Sequence, residues 1–285
     1  MFSSISVGPR DAPAIAEVSG PVLAGGVGEP ELDKRYLCKQ AHRASPSPSV
    51  VVVTPTYNER DNLDVMVRQV LALGEGYRIL VVDDASPDGT GALADRLSHE
   101  FPGRVRTIHR PGKGGLGPAY CIGLRAALES EPEFIAMMDA DGSHAPRDLS
   151  RLVATAGAYD LVLGSRYVSG GATPAWPARR RLLSRLGGRY ARAVLRLPVV
   201  DPTSGFRVFQ RDALRRIELE RLHANGFAFN VELTYRAWRL GFRIAEEPIV
   251  FVERAAGSSK LSPRIVREGL GLVWRLRLES LAGRL

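Results

Sequence analysis

Residues 134 to 146 read FIAMMDADGSHAP: an apolar run ends in two aspartates separated by one alanine. Side chains of an extended chain alternate between faces, so Asp139 and Asp141 leave the strand on the same side. Two carboxylates held together repel, and each raises the other's pKa unless a cation neutralises them. Hard divalent ions take oxygen ligands, and magnesium uses one or two carboxylates and fills its other positions with water and substrate phosphates. The couple therefore suits a metal–diphosphate site. Taken alone, D-x-D also fits two solvated loop aspartates; its place directly after a buried strand favours the metal.

Other polar clusters follow the same logic. In VVDDASPDGT, Asp83 and Asp84 stand at the end of a strand, where a carboxylate can accept hydrogen bonds from a ribose or a base. Asp88-Gly89 fits a turn, and Asp88 or Thr90 can cap the helix that follows. HRPGKGGLGPA is glycine-rich and precedes a helix, but matches neither G-x-x-x-x-G-K-[ST] nor G-x-G-x-x-G, so it reads equally as a flexible loop. Arg166, Arg254 and Lys260 stand in GSRY, VERAAG and SSKL. Each alone reads as a solvated charge; together they offer cations to phosphate oxygens, with arginine forking across two of them.

The elements that must position these residues come from hydrophobic period. Val50 to Thr54 is a buried strand bounded by Pro55, and Leu63, Val67, Val70 and Leu71 carry a helical spacing. Strands YRILVVDDAS, RVRTIHR, EFIAMMDAD and YDLVLGSRY then alternate with helices TGALADRLSHEF, GLGPAYCIGLRAALES and PRDLSRLVATAG. Such alternation predicts an α/β fold with a mainly parallel, Rossmann-like sheet flanked by helices, whose ligands bind at the carboxyl ends of the strands. After Tyr167 the pattern changes. Residues 179 to 197 form a basic amphipathic helix interrupted by Gly187 and Gly188, SGFRVFQR is a short strand, and NVELTYRAWRLG is a helix. RIAEEPIVFVER holds an edge strand at most, since Pro248 cannot donate to a ladder. Residues 263 to 285 form a further helix, apolar on one side and arginine-rich on the other. Residues 1 to 48 are rich in Gly, Pro, Ala and Ser without period and read as a flexible tail or a docking segment. The domain proper runs from 49 to 262.

Composition bounds the function. The 285 residues, 45% hydrophobic and 25% charged, suffice for one large domain or two small ones. A net charge of +8 invites an acidic partner: nucleic acid, an anionic membrane, or a phosphorylated ligand. The basic residues are nearly all arginine, the only lysines being Lys34, Lys39, Lys113 and Lys260, so base composition explains much of the charge. No nucleic-acid module signature is present, and no nucleic-acid partner is expected. Cys38 and Cys121 lie far apart, which argues against a structural disulfide and for an intracellular chain. Neither a signal peptide nor a stretch of about 20 apolar residues is evident.

VVVTPTYNERDNL, VVDDASPDGT, RPGKGGLGPAY, MDADGSHAP, GSRYVSGG, WPARRRLLS, SGFRVF and VERAAGSSKL occur in the order seen in polyprenol/dolichol-phosphate mannose synthases, and the chain resembles that family over roughly residues 50 to 265. These are family 2 glycosyltransferases of the GT-A fold. The resemblance implies inverting transfer of mannose from GDP-mannose to a polyprenyl phosphate, with Mg²⁺ or Mn²⁺. By matching position, Pro55, Tyr57, Glu59, Val82 and Asp84 would hold the guanosine, while Met138, Asp139, Ala140 and Asp141 would line the metal and diphosphate. Arg166, Arg254 and Lys260 would contact donor and acceptor phosphates, and Ser143, where many relatives carry Gln, would join Asp139 and Asp141 at the metal. Some relatives continue into transmembrane helices. This chain is expected to work at the cytoplasmic face of a membrane, peripherally, either alone or through a separate membrane-anchoring protein. A glucosyl- or N-acetylglucosaminyltransferase using a UDP-sugar is the alternative, because motifs do not decode the base and sugar pockets.

Overall fold

The computed structural model describes residues 48–222, 224, 226–252 and 263–284. Residues 1–47 of the expected tail, Cys38, Arg254 and Lys260 lie outside the described residues. β1 (Val50–Thr56), α1 (Arg60–Leu71), β2 (Tyr77–Asp83), α2 (Thr90–Glu100), β3 (Val105–His109), α3 (Leu116–Glu129), β4 (Phe134–Met137), α4 (Pro146–Ala156) and β5 (Leu161–Ser165) alternate as the period predicts. There follow α5 (Ala178–Leu195), β6 (Arg207–Gln210), α6 (Arg211–Arg215), α7 (Gly226–Arg239), β7 (Ile244–Pro248) and α8 (Pro263–Leu281).

The strands form one seven-stranded sheet in the order β3-β2-β1-β4-β6-β5-β7. β1 is flanked in parallel by β2 and β4, and strand alternation sends its side chains to two separate cores. Val51, Val53, Leu80, Val82, Ile135 and Met137 face a core built with α3, α5, α7 and α8. Val50, Val52, Ile79, Val81, Phe134 and Ala136 face the core lined by α1, α2 and α4. Burying each of these side chains larger than alanine contributes about 1.5–3 kcal/mol. β7 pairs with β5 at the sheet edge, and Pro248 is its last residue, where a missing donor costs least.

One finding goes beyond the sequence reading, which left the direction of β6 open, and one departs from it. β6 runs antiparallel to both neighbours, β4 and β5, so its amino end lies at the edge where those strands finish; Arg207 pairs with Met137 on one side and Leu163 on the other. Helix α5 passes through Gly187 and Gly188 without interruption. Glycine costs roughly 1 kcal/mol within a helix, and the packing of Ala191 and Leu195 into the core, with the Tyr190 hydroxyl on the Leu270 carbonyl at 3.2 Å, outweighs it. Helix α8 buries Leu272, Val273 and Leu276 in that same core. Among the described residues, no helix is long and apolar enough to cross a membrane.

Gly123 marks the closest approach of α3 to the sheet. A Cβ there would fall within 3.0 Å of the side chains of both Val53 and Val82. Helix propensity alone favours alanine by about 1 kcal/mol, whereas overpacking a core typically costs 1–3 kcal/mol. Gly123→Ala is therefore expected to lower unfolding free energy by up to about 2 kcal/mol in urea titration.

Candidate active site

The aspartates leave β4 through a turn whose Gly142 has φ +74°, a conformation that side chains disfavour. Asp139 is half-buried; its Oδ1 accepts the Tyr120 hydroxyl at 2.8 Å, delivered from α3. Its amide donates to His144 Nδ1 at 3.2 Å. Asp141 is buried, and its Oδ1 accepts both the amide and the hydroxyl of Ser143, at 3.0 and 2.5 Å. Both carboxylates are thus fixed by protein donors, Asp139 by Tyr120 and Asp141 by Ser143. Oxygen donors alone, two of them carboxylates and one a hydroxyl, match a hard divalent ion that draws its remaining ligands from a diphosphate. Tyr120 is fully enclosed, and burial next to Asp139 raises its hydroxyl pKa well above 10.0, so it remains a donor. Met138 and Ala140 turn their side chains into the core, leaving only their main chain to line a ligand.

On the β1–β2 side the expected residues gather at the strand ends, each with a distinct burden. Asp83 is held by Thr56 Oγ1 at 2.9 Å and by the Ser86 hydroxyl and amide at 2.6 and 3.0 Å. Asp84 is occupied by the glycine-rich loop: it pairs with Arg110 and accepts the amides of Gly114 and Gly115 at 3.1 and 3.2 Å. Its carboxylate organises that loop, which sets Lys113 over the Tyr57 ring at 3.9 Å. Val82 is buried in the core, while Pro55, Tyr57 and Glu59 are partly exposed at the edge. Asp88 caps α2, accepting the Thr90 amide and hydroxyl at 3.0 and 2.6 Å.

Arg166 does not present its fork to an open cleft. Nε and Nη2 bind Asp201 at 2.8 Å each, Nη2 also reaches Thr203 Oγ1 at 2.7 Å, and Tyr167, Trp176 and Phe251 box the guanidinium at 5.3–5.5 Å. Burial alone would lower its pKa, but the charge and bonds of Asp201 outweigh that and raise it. Asp201 behaves inversely: burial pushes it up, Arg166 pulls it below 3.8, and its amide is held by Glu246 at 2.8 Å. Phe251 links this pair to the aspartate turn, since the His144 ring meets it edge-on at 5.4 Å and stacks on Phe206 at 4.9 Å. Tyr120, Arg207 and Asn230 were not distinguished by spacing; only the fold brings them to the neighbourhood of Asp139, as it brings Asp201 to Arg166.

Removing one partner of a buried ion pair leaves an uncompensated charge and costs roughly 3–5 kcal/mol, whereas an apolar pair in its place is often neutral. Thermal denaturation is expected to show Arg166→Met and Asp201→Leu each strongly destabilised and the double variant less so than either. The folded pKa of Asp201 is depressed, so its contribution is full above the ordinary value of 3.8 and is lost as pH falls through the lower folded value. Acid titration of the wild type will show that loss, and the double variant will lack it.

Residues 51–218 match the family model described as glycosyl transferase family 2. The chain is 45% identical over 235 residues to the polyprenol monophosphomannose synthase of Mycolicibacterium smegmatis, covering 81% of this chain and 89% of that protein. It is 44% identical over 240 residues to the undecaprenyl-phosphate mannosyltransferase of Micrococcus luteus, covering 83% and 98%. Among solved structures, glucosyl-3-phosphoglycerate synthase from Mycobacterium tuberculosis with Mn²⁺, UDP-glucose and phosphoglyceric acid superposes with a TM-score of 0.62 at 21% identity, over 81% of this chain and 80% of that one. The same enzyme with Mg²⁺ and UDP gives 0.60, over 81% and 79%. At such identity the likeness speaks for the GT-A fold, whereas the family match and the two mannosyltransferase-named relatives speak for the sequence itself: the chain belongs to glycosyl transferase family 2.

Proposed function

We propose that this chain transfers mannose from GDP-mannose to a polyprenyl phosphate with inversion at the anomeric carbon. The observation that carries the reading is the aspartate couple at the end of β4, steadied by the Tyr120 and Ser143 hydroxyls, in a chain 45% and 44% identical to two mannosyltransferases of polyprenyl phosphates. Asp139, Asp141 and Ser143 would hold Mg²⁺ or Mn²⁺, which when bound would supply positive charge to the departing diphosphate. Tyr57 and Glu59, partly exposed beyond the end of β1, would meet the base, and Asp84 would act there through the loop it anchors. Nη1 of Arg166, which carries no hydrogen bond among the described residues, is the nitrogen left for a phosphate oxygen. Arg254 and Lys260 join it on the strength of the resemblance alone.

A sugar-hydroxyl acceptor needs a general base. The carboxylate downstream, Asp201, is paired with Arg166 and held in its ionised form, with no freedom to shuttle a proton. A phosphate monoester is largely ionised at neutral pH, its second pKa being near ~6. The nucleophile therefore needs placement more than activation, and placement of two anions is what the cations of this edge supply.

Helices α5 and α8 support a membrane-surface role. Leu270, Trp274, Leu278 and Leu281 recur on one exposed face of α8, and Leu182, Leu183 and Leu186 stand exposed on α5. Arg179, Arg185, Arg189 and Arg275 are exposed on the same two helices. Apolar side chains among arginines suit an anionic interface, while the opposite faces pack on the core. A separate membrane-anchoring partner would act at this surface, and the active edge would then face the cytoplasm.

Three results test the proposal. With polyprenyl phosphate as acceptor, the chain is expected to consume radiolabelled GDP-mannose and leave UDP-glucose and UDP-N-acetylglucosamine untouched; the reverse preference would install the alternative donor. Asp141→Ala is expected to lower transfer by roughly a hundredfold or more, and near-normal transfer would remove the aspartate from the site. Trp274→Glu combined with Leu278→Glu is expected to abolish co-sedimentation with anionic vesicles without altering nucleotide binding.

A further inference from the structure

Arg207 is the largest side chain among those fully enclosed, and no carboxylate lies within ion-pair reach of it among the described residues. Nη1 donates to the Asn230 carbonyl at 3.4 Å and to Thr234 Oγ1 at 3.2 Å, Nη2 donates to the Ser204 carbonyl, and Nε is buried without a partner. Enclosing a cation among neutral groups costs several kcal/mol that a hydrophobic residue would avoid. Burial pushes its pKa down to about 10, against an opposing pull from Tyr120, Asp201 and Asp139. Stability does not account for such a residue, so its charge calls for another explanation.

The location supplies one. Ser204 and Asn230, which anchor the guanidinium, flank Gly205. The point where a Cβ on Gly205 would stand lies 3.5 Å from both Asn230 Nδ2 and Asp139 Oδ2. Arg207 pairs across the sheet with Met137, two residues before Asp139, whereas the other carboxylate of this edge, Asp201, is already matched by Arg166. Asp139 has one oxygen committed to a protein donor, Asp141 accepts both the amide and the hydroxyl of Ser143, and no group of three His, Cys, Asp or Glu residues that could hold a metal exists among the described residues.

We propose that Arg207 is a built-in counter-charge that sets the order of loading: it offsets Asp139 so that the empty couple does not retain a bare divalent ion, which enters with the nucleotide diphosphate instead. This rests on the metal–diphosphate reading above. Arg207 touches neither ion nor substrate; it is a positioning residue acting through the field at Asp139. Free Mg²⁺ then cannot occupy the site ahead of the donor.

The test uses the full chain with Mn²⁺ and GDP as probes. Electron paramagnetic resonance reads free Mn²⁺, and calorimetry reads GDP binding in EDTA. Wild type is expected to hold Mn²⁺ weakly alone and firmly with GDP. Arg207→Met is expected to hold Mn²⁺ alone roughly tenfold more tightly and metal-free GDP more weakly, because a removed cation helps a cation and harms an anion. Arg207→Lys keeps the charge and the wild-type pattern. A merely structural role would move both affinities down together. Should Arg207→Met fail to fold, Arg207→Gln, whose amide can still donate to the Ser204 and Asn230 carbonyls, carries the same paired expectation. Unchanged or weaker Mn²⁺ uptake in a folded neutral variant, or wild-type uptake of Mn²⁺ that GDP does not strengthen, overturns the proposal. Wild type that binds neither GDP nor Mn²⁺ in any combination overturns the reading of the site itself, and is distinguishable because no variant need be made to see it.

Discussion

Two like charges stand at the end of a buried strand, and the molecule is arranged so that they can remain there. Tyr120 steadies Asp139 from α3, and Ser143 steadies Asp141 from the same turn. Gly123 lies one helical turn beyond Tyr120, on the same face of α3. Its missing side chain lets the helix settle against Val53 and Val82, so the depth at which α3 packs fixes whether a phenol reaches Asp139. A packing decision in the core and a polar contact at the edge are therefore one decision.

The carboxylates of this edge divide by how completely they are satisfied. Asp83 is surrounded by hydroxyls and an amide, Asp84 by an arginine and two glycine amides, and Asp201 by an arginine fork. All three hold loops in place. Asp139 keeps one oxygen without a hydrogen bond among the described residues. Unspent acceptor capacity at a half-buried carboxylate is costly unless a ligand completes it, and this separates the site from its scaffolding better than acidity does.

The sequence made much of this legible, and its blind spots share a cause. The alternation of apolar runs placed β1 to β5 and their helices, because periods of 2 and 3.6 are local properties. The position of Asp139 and Asp141 after a buried strand was legible for the same reason. What could not be read was pairing at a distance. GSRY shows an arginine but not Asp201, 35 residues later, which claims its fork. VVDD shows two acids but not the glycine amides that absorb the second. Gly187-Gly188 looked like a break because propensity is local, while the contact of Tyr190 with α8 is tertiary. The direction of β6 was hidden for a further reason: four residues carry too little pattern to reveal which way a strand runs.

That reversed strand has a consequence for how the protein is made. β4 and β6 pair residues 134–137 with 207–210, so a nascent chain must grow 66 residues past Asp141 before Arg207 can take its place beside β4. Loop closure over such a span is slow relative to local helix formation. On the ribosome, the parallel half from β1 to β4 emerges first, with its acidic turn still lacking the internal cation. Until translation proceeds, that half carries unbalanced negative charge at one edge and an unpaired β4 flank, the two conditions under which a chaperone or a passing cation would find purchase.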